Sequence, residues 1–266
     1  MAPLLVVVAV LGLAIGSFLN VVIYRVPRDE SLLRPGSHCP RCDTPIRARH
    51  NVPLLGWLLL RGKCAACAAP ISVRYPLVEL GTAALFVAVT ARFGLTPELP
   101  AYLYLAAIAV ALTMIDLDVK RLPNAIVLPS YVVGALTLLP IVFVTGDWWA
   151  AARALIAMAA LWLFYFALFF LYPGGGGMGY GDVKLAGVLG LYLGWLGWSS
   201  VLIATFAGFL LGGLVGALLM ALRRAGRKSA IAFGPYMLAG ALLAIFLAGP
   251  IATWYGSLLL PTATAS

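Results

Sequence analysis

Charge is what this sequence has least of. Charged residues make up 10% of the 266 positions and only nine of them are acidic, while 63% of the residues are hydrophobic. Soluble domains carry about a quarter charged residues, so a soluble globular fold is excluded and a polytopic membrane protein is expected. Cysteine is confined to four positions, all between residues 39 and 67. There is no internal sequence repeat and no long low-complexity tail, which sets aside repeat arrays and disordered interaction tails. The first apolar run, Leu4 to Tyr24, has no basic residue before it and no Ala-x-Ala cleavage site after it. It is expected to be a retained first helix with its N-terminus outside.

The net charge of +9 would suit nucleic acid or a membrane surface. Distribution decides: the basic residues lie between apolar runs rather than on one soluble domain, so the expected partner is the lipid bilayer and not nucleic acid. Further apolar runs fall at roughly 77–94, 99–115, 125–145, 150–172, 183–197, 199–222 and 235–260. The expected fold is an all-α polytopic membrane protein of about eight transmembrane helices. The count falls to seven if no turn forms at Gly194 to Trp198. The expected division is a first transmembrane helix over 1–24, a small four-cysteine zinc domain over 25–76, and a transmembrane catalytic bundle over 77–266. With the N-terminus outside, 16 of the 18 lysines and arginines fall on the inner side, leaving Arg92 and Arg153 outside. That bias makes the 25–76 segment cytoplasmic.

Cys39 and Cys42 form one C-x2-C knuckle, and Cys64 and Cys67 a second. Two such pairs about twenty residues apart match a tetrahedral thiolate zinc site. The alternative is two disulfides, which a reducing cytoplasm disfavours. Closed four-cysteine sites are structural, so the zinc is expected to fold the loop and do no chemistry. His38 and His50 lie nearby and are expected to be solvated. Between the knuckles, Val52 to Leu60 is apolar but too short to span, and is expected to lie against the membrane surface.

The chemistry is expected at Gly179-Tyr180-Gly181-Asp182, which follows the glycine string Gly174 to Gly177 and precedes Lys184 and another apolar run. A carboxylate at the edge of a span is costly and marks a functional candidate. Glycines on both sides of Tyr180 suit a loop that receives an extended peptide. The other reading is that Asp182 only caps a helix start. Its partner is expected at the end of the third span, where Asp116 directly follows an apolar run. Asp118, two residues on, diverges by about 200° on a helix, and is expected to be a solvated or salt-bridged surface acid. Counting spans puts Asp116 and Asp182 on one membrane face. Two carboxylates a few Å apart share a proton, giving an acid and a base that activate water against a peptide carbonyl.

These blocks resemble the prepilin peptidases, or type IV leader peptidases, a GxGD-type aspartyl protease family of the bacterial inner membrane. The resemblance runs through Gly16-Ser17-Phe18-Leu19-Asn20-Val21, the paired knuckles, Asn51-Val52-Pro53-Leu54, the stretch from Pro70 to Glu79, Ile115-Asp116 with Leu122-Pro123-Asn124, Gly179 to Lys184, and Phe233-Gly234-Pro235-Tyr236. It implies Asp116 and Asp182 as the catalytic pair, with Gly179, Tyr180, Gly181 and Lys184 as the substrate loop. It implies cleavage of the basic leader of prepilins and pseudopilins at the cytoplasmic face, and N-methylation of the new N-terminus with S-adenosylmethionine. Asn124 stands where the family commonly has Asp, and the first loop is shorter than in some members. The competing readings are a transporter or scaffold using the two aspartates as ion ligands, and a methyltransferase alone. Arg74 and Glu79 are open between contact with substrate or methyl donor and interface anchoring. Lys184 is open between orienting Asp182 and marking the membrane boundary.

Overall fold

Apolar runs in hydrocarbon must satisfy their backbone groups internally, and helices do so within one segment. The computed structural model is accordingly helical; it describes residues 2–171, 178–222 and 232–259. The chain packs as two compact units, Met1–Val119 and Lys120–Ser266.

In the first unit, α1 (Ala2–Arg25) is followed by a long loop holding the short helix α2 (Leu55–Leu59), then by α3 (Arg74–Phe93) and α4 (Leu99–Val119). α1 crosses α3 at glycines four residues apart. A methyl group at Gly12 would lie 2.6 Å from the Ala83 Cα, and one at Gly16 would lie 2.7 Å from the Glu79 Cα. Small residues at this spacing let helix backbones touch where lipid offers no hydrophobic drive. At the end of α1, the buried Arg25 donates to the carbonyls of Ser31 (2.8 Å) and Pro35 (2.7 Å), which folds the chain back as it leaves the span.

The second unit contains α5 (Asn124–Leu138), which runs through a 3-10 turn at Leu139–Ile141 into α6 (Val142–Thr145), then α7 (Trp148–Leu171), α8 (Tyr180–Leu196), α9 (Trp198–Ala221) and α10 (Gly234–Leu259). α8 is its centre: every residue from Asp182 to Trp195 except Lys184 is buried. Its glycines are what allow that. A methyl group at Gly194 would sit 2.6 Å from the Ala157 Cβ of α7, and one at Gly134 of α5 would sit 2.8 Å from the Tyr192 ring of α8.

Seven helices among the described residues are long and apolar enough to cross a membrane. The expected eighth, α8, has 17 residues and is not among them. At about 1.5 Å per residue it reaches roughly 25 Å, close to the thickness of the hydrocarbon core. The turn in question at Gly194 to Trp198 does form. α8 stops at Leu196, Gly197 takes φ +145, and α9 starts at Trp198.

Both ends of α8 meet charge. Asp182 sits in its first turn, and Arg153 of α7 donates from Nε to the Gly194 carbonyl (2.6 Å) and from Nη2 to the Trp195 carbonyl (2.7 Å). A cation on the last carbonyls satisfies acceptors the helix cannot, and matches its dipole. Arg153→Ala is expected to destabilise the protein by about 1.5–3 kcal/mol per lost charged hydrogen-bond site. Arg153→Lys should restore part of that. Thermal unfolding in lipid nanodiscs checks both, and an unchanged midpoint for the alanine variant would refute the capping role.

Candidate functional site

The four cysteines come together. Their sulfur atoms all lie within 4.8 Å of one another, with Cys39 and Cys67 at 3.8 Å and Cys42 and Cys64 at 4.0 Å. A tetrahedron with Zn–S bonds of about 2.3 Å has edges of about 3.8 Å. A disulfide needs about 2.05 Å, and all four thiols are free. The knuckles repeat one another in form. Cys39 N–H donates to the Thr44 carbonyl and Asp43 N–H to the Cys39 carbonyl; Cys64 N–H donates to the Ala69 carbonyl and Ala68 N–H to the Cys64 carbonyl. Asp43 and Ala68, each directly after its second cysteine, take φ +52 and +57. This short C-x2-C-x2-Pro repeat is visible in the sequence at 39–45 and 64–70, although it is too small to register as an internal repeat of the chain.

The electrostatics suit a cation. The Thr44 side chain and backbone bring the Cys42 thiol down to about 6, and backbone hydrogen bonds from Cys67 and Ala66 lower Cys64. Cys67 is pushed up to about 11. The Ala69 backbone lowers it, but hydrogen bonding with Cys42, burial, and hydrogen bonding with Cys64 and Cys39 outweigh that. Thiolates crowded together hold protons until a metal replaces them. His38 donates to the Gly36 carbonyl at 3.0 Å, and neither histidine joins the sulfur cluster.

In the second unit, Asp182 is the third residue of α8, and Gly179 occupies the capping position. Asp182 is 6% exposed, and its Oδ2 accepts the Gly179 N–H at 2.8 Å. Capping is therefore one thing this carboxylate does, from inside the first turn rather than from the N-cap. The bond also fixes its orientation. Gly181 lies against Leu122, where a methyl group would come within 3.0 Å of the Leu122 Cβ. Lys184 donates to Asn124 Oδ1 at 2.8 Å and lies 4.7 Å over the Tyr180 ring, so it braces the loop rather than merely marking a boundary. Tyr131 of α5 donates to the Lys184 carbonyl at 2.6 Å. Tyr180 is 44% exposed and available to a ligand.

In the first unit, Asp116 lies in the last turn of α4 and is 4% exposed. Asp118 points to the surface, as residues two apart on a helix must. It takes both Arg74 guanidinium nitrogens, at 2.8 and 2.7 Å. Arg74 is thereby an anchor. Glu79, buried in α3, accepts the Leu54 N–H at 2.8 Å and ties the loop to the span. The roles of Tyr131 and Arg153 were not legible: a tyrosine in an apolar run gives no signal, and Arg153 counted only as a charge on the outer side. The glycine string Gly174 to Gly177, and Arg223, Arg224, Arg227 and Lys228 from the inner-side charge count, lie outside the described residues.

Comparison with known proteins gives a consistent picture. Residues 10–93 match the model of the bacterial peptidase A24 N-terminal domain, and residues 103–217 match that of the type IV leader peptidase family. The chain is 42% identical over 269 residues to a prepilin leader peptidase/N-methyltransferase of Aeromonas hydrophila, covering 92% of this chain and 91% of that protein. It is 41% identical over 251 residues to one from Neisseria gonorrhoeae, covering 85% of each. It is 36% identical over 268 residues to one from Pseudomonas aeruginosa, covering 92% and 91%. No solved structure matches the chain.

Proposed function

Because the chain belongs to the type IV leader peptidase family, we propose that it removes the basic leader of prepilins and pseudopilins, with Asp116 and Asp182 as its catalytic pair. The observation that carries the assignment is burial. Three carboxylates are buried among the described residues, Glu79, Asp116 and Asp182, and Glu79 lies outside the Ile115-Asp116 and Gly179-Tyr180-Gly181-Asp182 blocks that the resemblance matches to the family's catalytic pair. Two spans, Asn124–Thr145 and Trp148–Leu171, separate the remaining two along the chain. A chain that crosses the bilayer twice returns to the face it left. The positive-inside bias supports a cytoplasmic location for that face, and the bacterial family supports the inner membrane as its site.

In the reaction, the ionised aspartate takes a proton from water as the oxygen attacks the scissile carbonyl carbon. The protonated aspartate supplies a proton to the carbonyl oxygen; as the tetrahedral intermediate collapses, the first aspartate passes its proton to the departing nitrogen and the second recovers a proton from the intermediate's hydroxyl, releasing the leader and a new amino terminus. Gly179, Tyr180, Gly181 and Lys184 form the substrate loop: glycines admit an extended backbone, and Lys184 on Asn124 keeps Tyr180 in place. The relatives' second activity supports methylation of the new amine, with the methyl group transferred from the sulfonium of S-adenosylmethionine. Zinc is the metal the four cysteines suit, supplying a structural cross-link to segment 25–76.

The test is to incubate the purified chain in lipid with a prepilin and read the product mass. Loss of the leader is expected, and a further gain of one methyl when S-adenosylmethionine is added. An intact prepilin after prolonged incubation would reject the peptidase reading and leave ion binding by the aspartates as the alternative.

A further inference from the structure

The loop between α1 and α3 presents an apolar face that the described residues leave uncovered. Val52, Leu55, Leu58 and Leu59 are 42%, 57%, 60% and 73% exposed. The segment is nevertheless well anchored from behind. Gly56 is buried against the His50 backbone, and Trp57 donates from its indole nitrogen to the Ile71 carbonyl at 3.2 Å. An ordered element that keeps its leucines outward is built to meet something apolar.

Its position says what. Leu54 N–H is bonded to Glu79, the sixth residue of the span α3. Five residues of helical rise place that carboxylate about 7.5 Å along the helix from its first residue. The segment is thus tied to the span a turn and a half from its start, and cannot lift away from the membrane level without breaking that bond. Interfacial elements seat their apolar faces about 5–10 Å into the headgroup and acyl boundary. Charge points the same way. Arg47 and Arg49 precede the segment, Arg61 and Lys63 follow it, all four are exposed, and no acidic residue stands between Thr44 and Val78. Basic flanks around an apolar centre match a surface of anionic phospholipids.

We propose that Val52–Leu59 is an interfacial foot, inserting Leu55, Leu58 and Leu59 among lipid headgroups while Arg47, Arg49, Arg61 and Lys63 contact their phosphates. The foot, together with the ends of α1 and α3, sets the height of the four-cysteine cluster above the bilayer. The inference rests on the spans of the first unit and not on the peptidase reading.

The test uses the full chain in vesicles of phosphatidylethanolamine and phosphatidylglycerol containing a phospholipid with a photoactivatable diazirine on its acyl chain. After illumination, adducts are mapped by mass spectrometry. Label on the peptide containing Leu55 to Leu59 is expected at about ten times the level on the knuckle Cys64 to Ala68, as for an inserted against a water-facing element. The triple variant Leu55→Ser, Leu58→Ser, Leu59→Ser should lose that label while keeping its metal content, which reports that the loop still folds. Absence of label on 55–59 while α1 is labelled would overturn the proposal. So would chemical cross-links from 58 or 59 to a second copy of the chain or to an added prepilin.

Discussion

Asp116→Asn and Asp182→Asn are each expected to lower leader removal by on the order of 10²- to 10⁴-fold, the range that a positioned acid or base contributes. The substitution isolates chemistry from fold. An asparagine at 182 retains an oxygen that can accept the Gly179 N–H, so the first turn of α8 keeps its cap. An amide at either position cannot take a proton from water or deliver one to the substrate. Asp118→Asn is the informative control. Its carboxylate pairs with Arg74 on the surface, with the two side chains 42% and 36% exposed. Such pairs are worth about 0.2–1 kcal/mol, so Asp118→Asn should keep most of the activity. Cleavage of a prepilin in membranes, normalised to protein level, reads all three. Full processing by either buried-aspartate variant would end the aspartyl mechanism.

The second large effect concerns the metal. Between Val26 and Ser72 the only buried residues are Cys39, Gly56 and Gly62. This segment therefore has no aliphatic core, and a structural zinc contributing about 10–16 kcal/mol of apparent binding is what would fold it. Purified protein should carry about one zinc per chain, the stoichiometry of a closed four-thiolate site. Cys39→Ser or Cys64→Ser should abolish it and expose residues 39–70 to limited proteolysis, while the spans stay protected. Two disulfides found by mass spectrometry in protein kept under reducing conditions would contradict this.

The sequence was most legible where physics leaves few choices. Twenty-residue apolar runs can only be helices in lipid, so the spans lie within a few residues of where hydropathy puts them. The knuckles were legible because thiolate spacing is set by the size of the metal site. Asp116 could be separated from Asp118 because a helix turns two neighbours-but-one to opposite sides. What was not legible depends on packing between elements. Hydropathy reads α8 as one more span, yet its glycines let α5 and α7 enclose it, and its 17 residues make it shorter than any of the seven candidate spans. Glu79 could be read as a ligand contact until the Leu54 amide was seen on it. Lys184 resolves the same way, through Asn124 and Tyr180, residues that nothing in the linear pattern joins to it.

The central claim is that Asp116 and Asp182 act as one pair, and the distance between them tests it most directly. With cysteines placed at 116 and 182, the four native thiols kept loaded with zinc, and a specific protease site inserted at 172–177, a short bis-thiol reagent is applied in membranes and the chain is then cut. If the two positions face each other within a few Å, as a proton-sharing pair requires, the two fragments stay joined. Cysteines at 118 and 182 should give fragments that separate. Separation of the 116 and 182 fragments, in protein that is otherwise folded and zinc-loaded, would contradict the account.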